Sequence, residues 1–346
     1  MALGLCNPNH AVRILALWII ATSPGISTER IVITAQRVSK QPLLRPAAGW
    51  SELGLFNPTA IKTGNKTVML FRAQDRNHTS RIGYAESTDG LHFEVRPEPV
   101  LSPETAYEKG GGIEDPRIVQ IKGTYYLTYT AYDLQAAQLC LATSTDLIEW
   151  QRKGVILPAY RGTWNTQWTK SGAIVSEKIN GKWWMYYLGT RKDPDGQARD
   201  YMGLASSTDL LHWKDATQKP VLDRRPGAFD SRVMEPGPAP MLTKQGILLL
   251  YNGADDHLVY GPGWVLFNRQ DPARVIARAD RPFLVPTLDW EKNGNVPNVI
   301  FLEGAVPRSR AELRSTESAK DLEVIGYYGA ADKFIGAADI RIAVSK

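Results

Sequence analysis

Cysteine is nearly absent from this chain. It has two in 346 residues, Cys6 and Cys140. Cys6 falls in a segment expected to be removed, so Cys140 stands alone and neither a disulfide framework nor a cysteine metal site can form in the folded part. Histidine is also sparse: five are scattered along the chain, and no ligand spacing argues for a metal or other cofactor. No Gly-rich loop leads into a helix that could cradle a phosphate, and no serine or cysteine stands with a partner histidine. Long amphipathic helices are missing, which rejects an α/β barrel. The net charge of +5 comes without a long basic run, so no nucleic-acid partner is expected. No apolar stretch reaches membrane-spanning length, so no membrane partner is expected either.

The one marked apolar run is short. Arg13 precedes Ile14 through Thr22, and Ser23-Pro24-Gly25-Ile26-Ser27 follows with small and turn-forming residues. This order reads as an export signal over residues 1–27 and implies a periplasmic or extracellular protein. Residues 28–346 then form a single domain, with the stretch up to about Trp50 supplying an outer strand or a lead-in to the first repeat.

Aromatics are plentiful, with ten Trp and fourteen Tyr. Such rings fill β-sheet cores, and some line sugar-binding clefts, where the ring face meets a pyranose and the polar tip finds a partner. Five of them mark an internal repeat. Phe71-Arg72-Ala73-Gln74-Asp75, Tyr129-Thr130-Ala131-Tyr132-Asp133, Tyr187-Leu188-Gly189-Thr190-Arg191, Tyr251-Asn252-Gly253-Ala254-Asp255 and Tyr328-Gly329-Ala330-Ala331-Asp332 each close a strand-like run, at spacings of 58, 58, 64 and 77 residues. A second element recurs as Ile82-Gly83-Tyr84-Ala85-Glu86-Ser87-Thr88-Asp89, Leu139 to Asp146 and Met202 to Asp209. In each copy a strand ends in a Ser-Thr-Asp turn whose side chains can satisfy local backbone N–H groups. Repeats of this length, worth about four short strands each, predict an all-β chain folded as a five-bladed β-propeller.

The lead-ins to the repeated strands are Phe56-Asn57-Pro58, Glu114-Asp115-Pro116-Arg117, Thr169-Lys170-Ser171, Met234-Glu235-Pro236 and Leu302-Glu303-Gly304. Innermost propeller strands all begin at one end, so Asn57, Asp115, Lys170 or Ser171, Glu235 and Glu303 should converge on one funnel, with Arg72, Asp75 and Asp332 reaching it through adjoining loops. Carboxylates facing each other across a cleft suit glycoside cleavage. One protonates the leaving oxygen, and another activates a water on the opposite face of the sugar.

Phe56-Asn57-Pro58, Phe71-Arg72-Ala73-Gln74-Asp75, Gly112-Ile113-Glu114-Asp115-Pro116-Arg117, the Ser-Thr-Asp turns and Tyr328-Gly329-Ala330-Ala331-Asp332 together resemble glycoside hydrolase family 130, over nearly everything from residue 50 onward. The resemblance implies five-bladed propellers acting on β-mannosides, and so an oligosaccharide partner. It implies that Asp115 is the proton donor, acting in the family's phosphorylases through a mannose hydroxyl. Asn57, Arg72 and Asp332 would hold the mannose before the scissile bond. Glu114 and Arg117 are expected to orient Asp115, and Asp75, Lys170 and Asn252 complete the expected substrate-binding set. Phosphorylases of the family usually carry Tyr-His-Gly where this chain has Tyr251-Asn252-Gly253, and they usually lack the carboxylate of Glu303. The pattern therefore looks like the β-1,2-mannosidases of the family, with Glu235 and Glu303 deprotonating a water in an inverting hydrolysis. A phosphorylase producing mannose 1-phosphate is the alternative, with Lys170, Lys182 and Arg191 as cations near the rim. An arabinanase-like glycosidase and a non-catalytic sugar-binding propeller are the further readings.

Overall fold

The computed structural model describes residues 30–162, 164–308 and 321–345, and it is an all-β structure. The expected export signal lies outside the described residues. The strands fall into four sheets, and five antiparallel units can be followed along the chain. The first runs Gly54–Thr63, Lys66–Gln74 and Ser80–Ser87, with Glu94–Val95 at its edge. The second runs Gly112–Ile121, Thr124–Tyr132, Ala137–Ser144 and Gln151–Leu157. One parallel pairing, Ser80 with Gly112, joins these two into one larger sheet. The third comprises Thr169–Ile174, Trp183–Lys192, Ala198–Ser207 and Lys214–Asp215, and the fourth Val233–Pro236, Ile247–Ala254, Tyr260–Phe267 and Val275–Arg278.

The fifth unit, Ile300–Pro307, Asp321–Ala330 and Phe334–Ser345, takes its outer strand from the other end of the chain. Arg30–Arg37 pairs antiparallel with Phe334–Ser345. The segment before Trp50 thus supplies an outer strand, as expected, but to the last unit rather than the first. The leading strands are neighbours. Gly54–Thr63 lies against Ile300–Pro307 on one side and Gly112–Ile121 on the other, and Thr169–Ile174 lies between Gly112–Ile121 and Val233–Pro236.

Why the repeated aromatics recur is visible in the pairing. Phe71 stands opposite Gly83, Tyr187 opposite Gly203 and Tyr328 opposite Gly336. A Cβ on Gly83 would come within 2.4 Å of the Phe71 ring, and one on Gly203 within 2.5 Å of Tyr187. Each glycine exists because a ring lies across it. A second ring then lies against the first: Trp50 and Trp290 stack on Phe71 and Tyr328, and Trp164 and Phe229 meet Tyr187 and Tyr251 at a tilt. Most of the aromatic surplus is therefore core packing. In the second unit Cys140 takes the glycine's place opposite Tyr129, and it is fully buried there.

The tyrosine tips carry a second repeated feature. Tyr129, Tyr187, Tyr251 and Tyr328 donate to Glu108, Asp215, Asp230 and Glu291. In three of the units an arginine from the outermost strand closes on the same acid: Arg152 on Glu108, Arg278 on Asp230 and Arg37 on Glu291. Each such trio fastens the outer strand to the second strand of its unit through a buried acid. The Ser-Thr-Asp turns form as expected. Asp146 and Asp209 each accept from two backbone N–H groups ahead of them, and the leucine that follows each is left-handed.

Candidate functional site

Three of the five lead-ins share one backbone device. The pairing of the first two strands slips between Phe56 and Pro58, between Glu114 and Arg117, and between Lys170 and Ala173. The residues at the slips, Asn57, Asp115 and Ser171, are left-handed at φ +49°, +52° and +59°. A bulge of this kind leaves a residue unpaired and re-aims its side chain, and Asn and Asp tolerate the left-handed region best. The fifth lead-in slips between Leu302 and Gly304, at Glu303.

The re-aimed side chains meet. Asn57 Nδ2 donates to Asp115 Oδ1 at 2.8 Å, and Arg72 reaches the same oxygen at 3.3 Å and Glu114 Oε1 at 2.7 Å. Phe56 lies under the Arg72 guanidinium at 4.9 Å. Lys170 Nζ stands 4.0 Å from Glu114 Oε2. Asn57 Oδ1 is buried without a partner. Asp332 has a left-handed backbone and lies within electrostatic reach of Arg72, Asp115 and Glu114.

Arg117 links three of the lead-ins. It is buried, and its guanidinium bonds the carbonyls of Pro236, Gly237 and Asp115. The same group stands 2.7 Å from Glu303 and 3.8 Å from Glu235. Arg117 therefore ties the Asp115 bulge to the fourth and fifth lead-ins. Its bond to the Asp115 carbonyl fixes the backbone that carries that carboxylate. Glu303 is fully buried; its contact with Arg117 is off the hydrogen-bonding angle, and neither of its oxygens has a hydrogen-bond partner. Glu235 accepts from Ser171 Oγ.

Burial sorts the proton affinities of these acids. It pushes Glu303 well above the ordinary carboxylate range, against the pull of Arg117. It pushes Glu235 up to about 7, against Arg117 and Lys170, and Asp332 up to about 6, against Arg72. Glu114 is also raised by burial. Asp115 goes the other way. Burial would raise it, but Arg72, Lys170, Arg117 and the Asn57 bond together hold it below the usual value.

Two further expected residues have their polar atoms engaged by the fold, although Asn252 stands opposite Glu235 in the strand pairing. Asp75 closes a local turn: its Oδ1 accepts from the N–H groups of Asn77 and Thr79, and its Oδ2 pairs with Arg81 at 2.8 Å. Asp133 and Asp255 do the same in their units, so of the aspartates that end the repeat only Asp332 belongs to the site. Asn252 is fully buried, and both of its amide atoms bond the backbone of Leu302, at 3.0 and 2.7 Å. It latches the fourth unit to the fifth.

The sequence reading missed two side chains. Tyr260, half-buried, lies in electrostatic reach of Glu235, Asp200 and Asp332, and Asp200, bonded to Thr190 at 2.5 Å, lies near Lys170 and Arg232. Neither is in a lead-in; Tyr260 opens a third strand, where no repeated polar signal marks it.

A family described as β-1,4-mannooligosaccharide phosphorylase matches residues 51–344. A 1,2-β-oligomannan phosphorylase from Thermoanaerobacter sp. is 38% identical over 90% of this chain and 98% of its own length. A β-1,2-mannobiose phosphorylase from the same organism is 34% identical over 88% and 96%. A glycosyl hydrolase structure from Bacteroides ovatus superposes with a TM-score of 0.75 at 31% identity, covering 88% of this chain and 93% of that one. The expectation of hydrolysis is overturned by the two phosphorylases, which match the chain over nearly their full length. Glu303, read from the sequence as a charge that repels phosphate, is raised in proton affinity by its burial, against the pull of Arg117.

Proposed function

The chain belongs to glycoside hydrolase family 130, and we propose that it is a phosphorylase of β-1,2-linked mannosides. The observation that carries this reading is the 38% identity to a 1,2-β-oligomannan phosphorylase across 98% of that relative. The neighbour order of the leading strands and their five units support a closed five-bladed propeller around the site.

In this reading a phosphate oxygen attacks the anomeric carbon of the terminal mannose while the glycosidic C–O bond breaks. The leaving oxygen takes a proton that originates on Asp115, directly or through a mannose hydroxyl. Inversion turns the β-mannoside into α-mannose 1-phosphate. The free site holds Asp115 ionised through Arg72, Lys170 and Asn57. A mannose that draws Asn57 and Arg72 into its own hydrogen bonds weakens that hold and raises the proton affinity of Asp115, as a donor requires. Lys170, with Arg232 exposed beside Tyr260, supplies positive charge for phosphate.

Incubating β-1,2-mannobiose with and without inorganic phosphate tests the proposal. Mannose and mannose 1-phosphate should form in equal amounts with phosphate, and nothing should form without it. Release of two free mannoses in phosphate-free buffer would overturn the reading.

Glu235 gives a second check. Its carboxyl is raised, so it is neutral below about pH 7 and ionises above. An added charge ~8 Å from phosphate costs roughly 2 kcal/mol at an effective dielectric of ~20. The KM for phosphate should therefore rise about tenfold between pH 6 and 8.5, and Glu235→Gln should remove that rise. Because phosphate itself titrates over this range, the difference between the two proteins is the measured quantity. Parallel profiles would dismiss Glu235 as the cause.

A further inference from the structure

Beside the site, between the second and third units, stands an aromatic cluster that lies outside the buried core, half-buried at Tyr132 and Trp168 and exposed at Tyr160. Tyr132 pairs with Gly112 at the start of the Asp115 lead-in and packs flat on Gly111, where a Cβ would meet its ring at 2.2 Å. Trp168 precedes Thr169 and Lys170, and its ring lies 5.9 Å from that of Tyr132 at a 55° tilt. Trp168 Nε1 donates to the Tyr160 hydroxyl at 3.2 Å, and that hydroxyl donates to the Gln135 carbonyl at 3.0 Å. Tyr160 is 58% exposed and left-handed at φ +57°, and Leu134 beside it is 64% exposed and also left-handed. A bulky residue at positive φ costs about 1–3 kcal/mol and persists where its surroundings fix it. Here the fixing is at the phenol tip, between Trp168 and the Gln135 carbonyl, while more than half of the residue stays exposed.

We propose that Tyr132, Tyr160 and Trp168 form a stacking shelf for the mannosyl residues on the leaving-group side of an oligosaccharide longer than a disaccharide. Three observations lead to this occupant. The Trp168 N–H and Tyr160 O–H are already engaged within the cluster, so the shelf offers ring faces rather than donors, which suits the C–H face of a pyranose. The shelf is continuous with the site, because Tyr132 and Trp168 adjoin the lead-ins that carry Asp115 and Lys170. It also lies on the second and third units, away from Asn57, Arg72 and Asp332 of the first and fifth, so it extends the cleft past Asp115 on the side where the leaving group departs. This inference rests on the mannoside reading given above.

The test measures binding without turnover. In an Asp115→Asn background without phosphate, calorimetry compares β-1,2-mannotetraose with β-1,2-mannobiose. Trp168→Ala and Tyr160→Ala should each lower the ratio of tetraose to disaccharide affinity about tenfold, and Trp168→Phe should restore most of it. Equal losses for both sugars, or none for either, would overturn the shelf. Thermal midpoints within a few degrees of the parent separate a lost platform from a lost fold. A selective loss of tetraose affinity, together with a parent enzyme that forms no mannose 1-phosphate from β-1,2-mannobiose and phosphate, would keep the shelf and sink the phosphorylase instead.

Discussion

Asp115→Asn lowers kcat for phosphorolysis of β-1,2-mannobiose by roughly 10²–10⁴-fold, the range that positioned proton transfer contributes, while the fold survives. The amide has the same shape and suits the left-handed bulge, where Asn is as tolerated as Asp. Asn57 Nδ2 and Arg72 can still donate to its oxygen. What disappears is the transferable proton, together with one negative charge among Arg72, Lys170 and Arg117. A substrate whose leaving group needs no proton, such as an aryl mannoside with an acidic phenol, should recover most of the loss. That recovery separates a missing proton from a damaged site. If kcat for mannobiose stays within fivefold of the parent, Asp115 is not the donor.

The convergence of the lead-ins could be read from the chain because each signal is local. A carboxylate or amide before Pro or Gly heads four of the five repeated strands, and three of those four heads, at Asn57, Asp115 and Glu303, are bulged. The same local reading did not show that Asp75 and Asn252 spend their polar atoms on the fold. Both sit in the repeated motif, but the motif ends in two kinds of turn. In one the aspartate satisfies the N–H groups just ahead of it, as Asp75 does. In the other Ala331 and Asp332 are both left-handed, and the carboxylate is drawn toward Arg72. Sequence alone gives both the same letters. The charge state of Glu303 was equally hidden, because it depends on complete burial under neighbouring units and on Arg117 from a strand far away in sequence. The tyrosine–acid–arginine trios left no periodic trace. Their acids stand 21, 21 and 37 residues before the tyrosines, and Arg37 reaches Glu291 across 254 residues.

That last trio holds the two ends of the chain together, and Glu291→Ala should lower stability by about 3–5 kcal/mol, the cost of stripping one partner from a buried pair. Glu291 is fully buried. Its Oε1 accepts from Arg37 at 2.6 Å and from the Tyr328 hydroxyl at 3.0 Å, and its Oε2 accepts from Arg37 at 2.8 Å and from the N–H groups of Thr287 and Leu288 at 2.8 and 2.9 Å. Truncation leaves the Tyr328 hydroxyl and two N–H groups without this acceptor and the Arg37 charge, mostly buried, without its counter-ion. Glu108 repeats the arrangement in the second unit, accepting from Glu104, Thr105, Tyr129 and Arg152. It is sealed within one unit, so the same substitution there does not release a chain end. Burial would raise the Glu291 carboxyl, yet the Arg37 pair and the two N–H bonds outweigh it and hold the group below its ordinary value. A depressed carboxylate contributes stability above its unfolded pKa and loses it as pH falls through the folded one. Denaturation followed from pH 7 down to pH 3 should therefore show a gap between parent and Glu291→Gln that narrows toward the acid end. The outer strand Arg30–Arg37 should exchange its amides first in either Glu291 variant, since Arg37 is its tie to Glu291. If Glu291→Ala unfolds within 1 kcal/mol of the parent, the strand is held by its ladder with Phe334–Ser345 alone, and the trio is a consequence of the fold rather than a cause of it.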